Sequence, residues 1–408
     1  MNKQKMQVLM LYASSLVGVF LGVLSSIVNT RFLNPADYGD VRYVQNIVNF
    51  IASLLLFGYF LSGSRLMALS TDQNYTRRVK GMMVLILGVA CAVLLFSMPV
   101  CYLLHQENSK LAWLFVVSMP VCLVPLLFNY IEQTTQGDNQ IGRLSLARLL
   151  PYLLYVPIAY FVYKNYEATS ERMILLQWTI YSAVYLLIII STRPKFKQLR
   201  PVWKDLQKEN RDYGIQLYIG SLVMVATNYL AGISLGFFNS DNSEVGFYTL
   251  ALTVTSPLAA LPAIVGTTYF KKFATQDRIP TKVLRFTVLM TLGTCVIFLL
   301  LIHPIVVFLY TEKYAVVGTY ASILSVAYCI HGLGDMLNRY LGSHGQGKAI
   351  RNASIANGVF KLIGFTALVA LFNTEGAIAT VIVCDVVYFS CLIWYYRKFV
   401  REHAEGKV

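Results

Sequence analysis

The sequence predicts an all-α, polytopic membrane protein with twelve transmembrane helices. Hydrophobic residues make up 56% of the chain and charged residues only 13%. Apolar stretches of about twenty residues recur with short loops between them, and the lysines and arginines concentrate in alternate loops. The 408 residues contain no polar stretch long enough to fold as a soluble domain, so the whole chain is predicted to belong to the membrane.

Each apolar stretch has the length that a helix needs to cross a hydrocarbon core of about 30 Å. The first stretch, residues 6–28, is too long for a cleaved signal peptide and lacks a small-residue cleavage site, so we expect it to remain as the first span. The twelve predicted spans begin near residues 6, 41, 79, 111, 144, 173, 214, 246, 286, 315, 352 and 376.

The basic residues give the chain an orientation. With a cytoplasmic amino terminus, 27 of the 34 lysines and arginines lie in cytoplasmic segments, six lie in the opposite loops, and Lys361 alone lies within a span. Because cytoplasmic loops retain positive charge during insertion, both termini are predicted to be cytoplasmic. The same distribution accounts for the formal charge of +14, so we expect contacts with membrane lipids and no nucleic-acid partner.

The sequence predicts no metal site, cofactor or enzymatic activity. The seven cysteines lie within or at the ends of apolar spans without a C-x-x-C pair, so neither a disulfide framework nor a metal site is indicated. Residues 342–348 have the glycine and lysine spacing of a phosphate-binding loop, but Ala349 stands where Mg²⁺ requires serine or threonine, and a membrane helix precedes the loop. No hydrolase motif is present.

The two halves of the chain repeat each other. Phe32 to Gly39 after the first span resembles Phe237 to Gly246 after the seventh, and the two glycines are 207 residues apart. Gln136-Gly137 after the fourth span matches Gln346-Gly347 after the tenth, 210 residues apart. We therefore predict two six-helix bundles, residues 1–203 and 204–408, related by a pseudo-two-fold axis along the membrane normal, with a substrate site at their interface.

At these residues the chain resembles a known family. The segment RFLNPADYG at residues 31–39 is similar to the first-loop signature of the bacterial polysaccharide flippases, the O-antigen and capsule branch of the multidrug/oligosaccharidyl-lipid/polysaccharide exporter superfamily. Further similarity lies in residues 235–248 and in Gln136-Gly137. The chain departs from the family pattern at Asn34, where glycine is usual, and near Ala231, where the family often has an acidic residue.

The resemblance implies a function. Such a protein translocates a polyprenyl-pyrophosphate-linked oligosaccharide from the cytoplasmic to the periplasmic leaflet of the bacterial inner membrane by alternating access. The resemblance suggests three kinds of partner: a lipid-linked glycan as substrate, membrane lipids, and a polysaccharide polymerase with chain-length proteins. The identity of the sugar is not predicted from the sequence.

A pyrophosphate-bearing lipid requires a cationic, polar chamber. Guanidinium groups suit phosphate oxygens because they donate two parallel hydrogen bonds. The plainer interpretation is that basic residues near span ends only orient the chain and contact headgroups. The predicted substrate-binding residues are Arg31, Arg65, Arg143, Arg148, Arg339, Lys361, Asn129 and Gln133.

Lys361 and Asp385 are predicted to lie at the same depth, near the membrane midplane. Each is about ten residues from a span end, or about 15 Å at 1.5 Å per residue. Either charge alone costs about 2.5 to 3.5 kcal/mol at mid-bilayer. We therefore expect the two to pair, or Lys361 to face the substrate chamber.

Two spans carry polar side chains on one helix face. His331, Asp335 and Arg339 are spaced by four residues in span ten, and Asn129, Glu132, Gln133 and Gln136 form a similar stripe in span four. These stripes are predicted to line opposite walls of one cavity, or else to hold neighbouring helices together.

Without a nucleotide site, energy must come from gradients. Moving about two negative charges outward across an inside-negative membrane is favoured by about 4 to 5 kcal/mol per 100 mV. The membrane potential, with or without a returning proton or Na⁺, is the predicted driving force. The predicted ion-coupling residues are Asp335, Asp385 and Glu132.

Two alternatives remain open at this point. A cation-coupled small-molecule or drug antiporter of the same superfamily shares the resemblance, although such proteins favour acidic cavities. A membrane O-antigen polymerase or ligase acts on similar lipids but usually carries a long outer loop with catalytic arginines, and the outer loops predicted here are short.

Overall fold

The computed structural model describes the backbone of residues 3–404. Side chains are described throughout this range except at residues 3–13, 15, 16, 220, 221, 223–226, 271 and 404. The described backbone is helical apart from short connections and contains no strand. The predicted all-α fold class is therefore confirmed.

The chain divides into two compact units, Met1–Tyr229 and Leu230–Val408. The division falls inside a helix, Ile215–Phe238, whereas the predicted repeat boundary follows residue 203. Residues between these two points pack with unit 1, so the compact unit extends beyond the predicted repeat. Each unit is described separately below.

Unit 1 contains nine complete helices and the first part of a tenth. A 3₁₀ turn at Met119–Val121 separates the fifth from the sixth helix, and a π-helical turn at Asn210–Gly214 follows the ninth. The helices are α1 (Lys3–Phe32), α2 (Pro35–Leu54), α3 (Tyr59–Leu69), α4 (Gln73–Leu104), α5 (Ser109–Ser118), α6 (Val124–Gly137), α7 (Ile141–Asn165), α8 (Ser170–Ser191), α9 (Leu199–Glu209) and α10 (Ile215–Phe238).

Unit 2 begins within α10 and contains five further helices. A 3₁₀ turn at Glu312–Tyr314 and a π-helical turn at Gly364–Leu368 interrupt it. The helices are α11 (Ser243–Phe273), α12 (Thr281–Tyr310), α13 (Val316–Ser343), α14 (Gly347–Ile363) and α15 (Val369–Ala404).

Eight helical segments of the described chain are long and apolar enough to cross a membrane, and the bent pair α2–α3 is a ninth candidate. The chain is therefore a multi-pass membrane protein. Spans one and seven of the sequence analysis fall on α1 and α10, whose side chains lie partly outside the described residues. The count of twelve stays a prediction.

One of the eight segments, residues 347–403, folds back on itself. Asn373 has the non-helical angles φ 48° and ψ −128°, and beyond it α15 runs antiparallel to α14. Gly364 lies against Thr380, and the side-chain amide of Asn352 donates to the Tyr395 hydroxyl at 3.0 Å. This apolar segment thus forms a helical hairpin, and its two arms contain the residues of predicted spans eleven and twelve.

A sharp bend of 60° separates α2 from α3. Gly58 occupies the bend with φ 77°, a left-handed conformation that glycine adopts without steric cost. The π-helical turn before α10 packs directly onto it, because a Cβ atom at Gly58 would lie 2.5 Å from the carbonyl carbon of Gly214. The Asn210 side chain fixes this contact by donating to the Phe57 carbonyl at 3.1 Å and accepting from the Ser62 hydroxyl at 3.1 Å.

The two units share one polar arrangement, which we name the acid clamp. In unit 1, Asp37 at the start of α2 contacts Lys110 at the start of α5 and accepts a hydrogen bond of 3.1 Å from Ser170 at the start of α8.

In unit 2, Glu244 at the start of α11 accepts hydrogen bonds from Tyr320 of α13 at 2.9 Å and Thr374 of α15 at 2.6 Å. The members of the two clamps correspond at separations of 204 to 210 residues. The clamp thus ties together the starts of predicted spans two, four and six in unit 1 and of predicted spans eight, ten and twelve in unit 2.

We expect Gly58→Ala to lower the unfolding temperature of the detergent-purified protein by about 5 °C or more, because the new Cβ atom would clash with the Gly214 backbone and because alanine is strained at positive φ. Gly88→Ala is the matched control, since no atom lies within 4 Å of a Cβ at that exposed position of α4. Thermal unfolding followed by circular dichroism measures both variants. Equal unfolding temperatures would contradict the packing of α10 on the α2–α3 bend.

Candidate functional sites in the two units

The predicted site residues fall in both units. Unit 1 holds Arg31, Arg65, Asn129, Glu132, Gln133, Arg143 and Arg148, and unit 2 holds Asp335, Arg339, Lys361 and Asp385. Within each unit the structure brings some of these side chains together and separates others.

Two predicted residues of unit 1, Glu132 and Arg148, form an ion pair. The Nη2 atom of Arg148 on α7 donates to Oε1 of Glu132 on α6 at 2.8 Å, and each side chain is 26% exposed. Asn129 and Gln133 are half-buried on the same helix as Glu132. Glu132 and Arg148, predicted to serve different roles, therefore neutralise each other in this structure.

Arg143 lies at a different place from Arg148. Its guanidinium group contacts the side chain of Gln140 and donates to the Ser191 carbonyl at 2.9 Å. There it lines a polar cavity of about 540 Å³ at the end of unit 1 where α4 and α7 begin. The structure thus separates two arginines that the sequence analysis assigned to one chamber.

The other two predicted arginines of unit 1 lie near helix ends. Arg65 on α3 contacts Oε1 of Glu209 on α9 at 2.6 Å and lies over the ring of Tyr213 at 4.4 Å. Arg31 is exposed in the last turn of α1, where a positive charge interacts favourably with the carboxyl end of the helix. Arg65 thus fastens the α9 segment to α3.

Unit 1 also contains a half-buried arginine, Arg42, which is one of the six basic residues that the sequence analysis counted in the outer loops. Arg42 on α2 donates to Oε1 of Gln45 at 2.8 Å and lies 4.8 Å from the ring centre of Tyr38. Gln45 in turn donates to Oε1 of Gln177 on α8 at 2.9 Å. The spacing of Tyr38, Arg42 and Gln45 by four and three residues places them on one helix face. This spacing in the sequence could have identified the three residues as one polar cluster.

Tyrosines extend the buried polar interior around Arg42. The Tyr155 hydroxyl donates to Oδ1 of Asn29 at 2.5 Å and lies 3.1 Å from the Tyr163 hydroxyl. Tyr181 packs edge-on against Tyr152 and Tyr155. The interior of unit 1 around Arg42 is therefore formed by a guanidinium group and tyrosine side chains.

Unit 2 has an acidic and imidazole interior. His331 on α13 places Nδ1 at 2.9 Å from Oδ1 of Asp385 on α15, and its Nε2 lies 3.8 Å from Oδ2 of Asp335. The Tyr388 hydroxyl donates to Asp335 at 3.2 Å, accepts from the Asn338 amide at 2.7 Å, and its ring stacks on His331. Both predicted acids of this unit thus share one imidazole, which we name the His331 cluster.

Asp385 is the most buried member of the His331 cluster, with a side chain that is 6% exposed. A buried carboxylate in an apolar span requires a polar partner, and His331 supplies it. The sequence analysis noted His331 on the face of span ten but did not identify it as the partner of Asp385.

Lys361 lies on α14 at the level of the His331 cluster. The antiparallel register set by Gly364 against Thr380 and Asn352 against Tyr395 brings residue 361 opposite residues near 385. Lys361 is close enough to act electrostatically on His331 and Cys384. The expected common depth of Lys361 and Asp385 agrees with this register.

Arg339 is exposed on α13, about two helical turns beyond His331. The stem of its side chain covers Gly266 of α11. Among the described side chains, no group of three histidine, cysteine, aspartate or glutamate residues has the arrangement of a metal site.

Comparisons with known proteins give a family and a fold. The family model described as "Polysaccharide biosynthesis protein" matches residues 5–270, more than half of the chain. No curated protein matches the sequence at a significant level.

Solved structures of transporters share the fold along almost the whole chain. The lipid II flippase MurJ in an inward closed conformation is 13% identical, with a TM-score of 0.73, and the alignment covers 97% of this chain and 89% of that one. A multidrug resistance MATE family transporter of the MOP superfamily in an inward-facing conformation is 14% identical, with a TM-score of 0.67 and coverage of 94% and 95%. An outward-facing structure of a MATE family transporter is 14% identical, with a TM-score of 0.63 and coverage of 99% and 97%.

We expect a double-mutant cycle of Arg148→Gln and Glu132→Gln to give a coupling free energy of about 1 kcal/mol, because each partly buried charge loses its partner in the single variants. Chemical or thermal unfolding of the four purified proteins measures it. Additive effects of the two substitutions would mean that the ion pair contributes nothing to stability.

Proposed function

The chain belongs to the polysaccharide biosynthesis protein family, and on that premise we propose that it is a flippase for a lipid-linked oligosaccharide. Its substrate is a glycan attached through pyrophosphate to a polyprenyl lipid, which it moves from the cytoplasmic to the periplasmic leaflet of the bacterial inner membrane. The proposed mechanism is alternating access with both termini in the cytoplasm. A polysaccharide polymerase and chain-length proteins are the proposed partners after translocation.

The observation that carries this proposal is the position of Lys361. It is a half-buried lysine in the middle of the apolar hairpin formed by α14 and α15. A charge at that depth is costly and normally faces the protein interior or a water-filled cavity. An ammonium group there suits an anionic substrate better than a cationic one, since opposite charges attract and like charges repel.

Two exposed arginines and two amides support the proposal. Arg31 and Arg339 are exposed near the ends of spans, where they can meet a pyrophosphate that enters or leaves the membrane. Asn129 and Gln133 supply half-buried amides on α6, which are suited to sugar hydroxyl groups. Because Arg148 is paired with Glu132, we place it in the substrate path only together with that carboxylate.

We place ion coupling in the His331 cluster. An imidazole between two carboxylates can hold or release a proton with a small change in geometry, and the cluster joins α13 to α15. Protonation changes the charge that these two helices share and therefore their preferred packing. The inward return of a proton through this cluster, together with the membrane potential, is the proposed energy source.

A cation-coupled drug antiporter is the second candidate function, favoured by the fold shared with MATE family transporters. The acids Asp335 and Asp385 suit a cationic substrate, but both contact His331, and Lys361 lies at their level. Drug susceptibility of cells that express the protein discriminates the two functions. A flippase leaves susceptibility unchanged.

Lys361→Met is expected to reduce translocation about tenfold or more, because loss of one charge-assisted contact costs about 1.5 kcal/mol or more. The assay reconstitutes the protein in vesicles with a polyprenyl-pyrophosphate oligosaccharide and follows exposure of the glycan to an impermeant lectin. Lys361→Arg should retain most of the activity, since the charge remains.

Lys164→Met serves as the matched control for Lys361→Met. Lys164 is exposed near the end of α7, so its loss removes the same charge without touching the hairpin. A Lys361→Met protein that is folded, equally abundant and as active as the wild type would exclude the proposed contact with substrate.

Asp385→Asn is expected to abolish the response of translocation to an imposed pH gradient while substrate exchange without a gradient continues. The asparagine can still hydrogen bond to His331 but cannot exchange a proton at this pH. Glu132→Gln is the control and should keep the response, because Arg148 neutralises Glu132. A full pH response in Asp385→Asn, or a response that follows Na⁺ and ignores pH, would remove the His331 cluster from proton coupling.

A further inference from the structure

Unit 1 contains a basic pocket that the transport proposal does not use. The pocket of about 540 Å³ lies where α4 and α7 begin and α8 ends. Its charged and amide side chains come from segments distant in sequence, and its volume falls in the range typical of small-molecule sites. The lining residues include Arg77, Lys80, Asp138, Gln140, Arg143 and Arg193.

The single acid among the lining residues is already neutralised. The Lys80 side chain is only 3% exposed and contacts Oδ2 of Asp138 at 2.5 Å. Gln140 donates to the same carboxylate oxygen. Four basic groups and one carboxylate leave the pocket with a formal charge of about +3, and the carboxylate is hydrogen-bonded by two side chains, Lys80 and Gln140.

The wall of the pocket is held in place by a continuous chain of hydrogen bonds. Gln140 donates to Asp138 and accepts from Arg143, and Arg143 also donates to the Ser191 carbonyl at 2.9 Å. Tyr130 fixes the helix beneath by donating to the Lys80 carbonyl at 3.2 Å. The donors that face the pocket are therefore preorganised, which lowers the entropic cost of binding.

Two arginines are left to meet a ligand. Across the described part of the chain, no carboxylate lies within 4 Å of the guanidinium group of Arg77 or Arg193, whereas Arg65 and Arg148 each have one. Arg193 has φ 52°, a left-handed conformation that is strained for a residue other than glycine.

The loop after α8 holds Arg193 in this conformation. The Lys195 amide donates to the Arg77 carbonyl at 2.9 Å, and Nζ of Lys195 donates to Asn74 at 2.7 Å. The loop lies directly on α4, because a Cβ atom at Gly81 would be 2.0 Å from the Lys195 carbonyl oxygen. Strain retained beside a basic pocket is typical of a binding site.

One helix amino terminus also lies at the pocket. Gln140 precedes the first turn of α7 without capping it, and Arg143 lies in that turn, whereas the start of α4 is already capped by the Asp72 carboxylate. The unpaired amide groups of such a terminus favour an anion, and phosphate in particular.

We propose that this pocket binds a phosphate group, with Arg77 and Arg193 as its main ligands. An anionic lipid headgroup is the source that the surroundings favour. The pocket opens at the end of membrane-spanning helices, and exposed apolar side chains such as Leu85 and Val89 begin about two turns beyond Arg77 on α4. A soluble phosphate compound of the cytoplasm shares the same chemistry and is the other possible source.

The test is native mass spectrometry of the purified, delipidated full chain with phosphatidylglycerol or phosphatidylcholine added. The wild type should retain one phosphatidylglycerol in preference to phosphatidylcholine. The double variant Arg77→Gln, Arg193→Gln should weaken this binding about tenfold or more, because both charge-assisted ligands are lost. Lys164→Gln, Arg172→Gln removes two basic residues from the opposite end of unit 1 and should bind like the wild type.

A second arm titrates inorganic phosphate into the lipid-free protein and follows its unfolding temperature. Stabilisation that the Arg77, Arg193 variant loses, without preference for phosphatidylglycerol, would support the phosphate site and assign it to a soluble ligand. Equal behaviour of both double variants in both arms would overturn the proposal, and matching circular dichroism spectra exclude misfolding as the cause. Since neither arm measures translocation, the outcome is independent of the proposed flippase activity.

Discussion

A charged side chain in an apolar span must find a partner, and this requirement organises the interior of both units. An unpaired charge at mid-bilayer costs about 2.5 to 3.5 kcal/mol. In unit 1 the constraint joins α6 to α7 through Glu132 and Arg148. In unit 2 it joins α13 to α15 through His331 and Asp385. The packing of these helices therefore depends on their polar pairs, because rotation of one helix about its axis would separate the two charged side chains.

The two halves have kept a common scaffold and acquired different interiors. The acid clamp occurs in both units at corresponding positions. The polar residues in the interior of the two units, in contrast, differ in charge. Unit 1 surrounds Arg42 with tyrosines and glutamines, and unit 2 surrounds His331 with carboxylates. The two units thus share a framework and differ in the chemistry of their interiors.

The fold class was predictable from the sequence because the length of an apolar span follows from the thickness of the membrane. The common depth of Lys361 and Asp385 followed from counting residues along helices. The partners of the buried charged side chains could not be predicted in this way, since hydropathy gives the depth of a side chain but not its direction around the helix axis. His331 as the partner of Asp385 is such a case.

Residues at the edges of spans were the other source of error. Arg42 was assigned to an outer loop because a basic residue next to an apolar stretch usually marks its end. In the structure it is half-buried on α2, beside the Tyr38 ring and the Gln45 side chain. The pairing of Lys80 with Asp138 joins residues 58 apart in sequence, and no local pattern reveals such a contact. The division between units inside α10 likewise depends on tertiary packing.

The acid clamp has a consequence for biogenesis. Its acidic residue enters the membrane early, on the second span of each half, but its last partner is carried by the sixth. Until the ribosome has delivered that final segment, Asp37 or Glu244 lacks one of its ligands. Closure of the clamp therefore marks the completion of each half during synthesis. An incomplete half therefore retains an acidic side chain with one hydrogen bond fewer than in the finished structure.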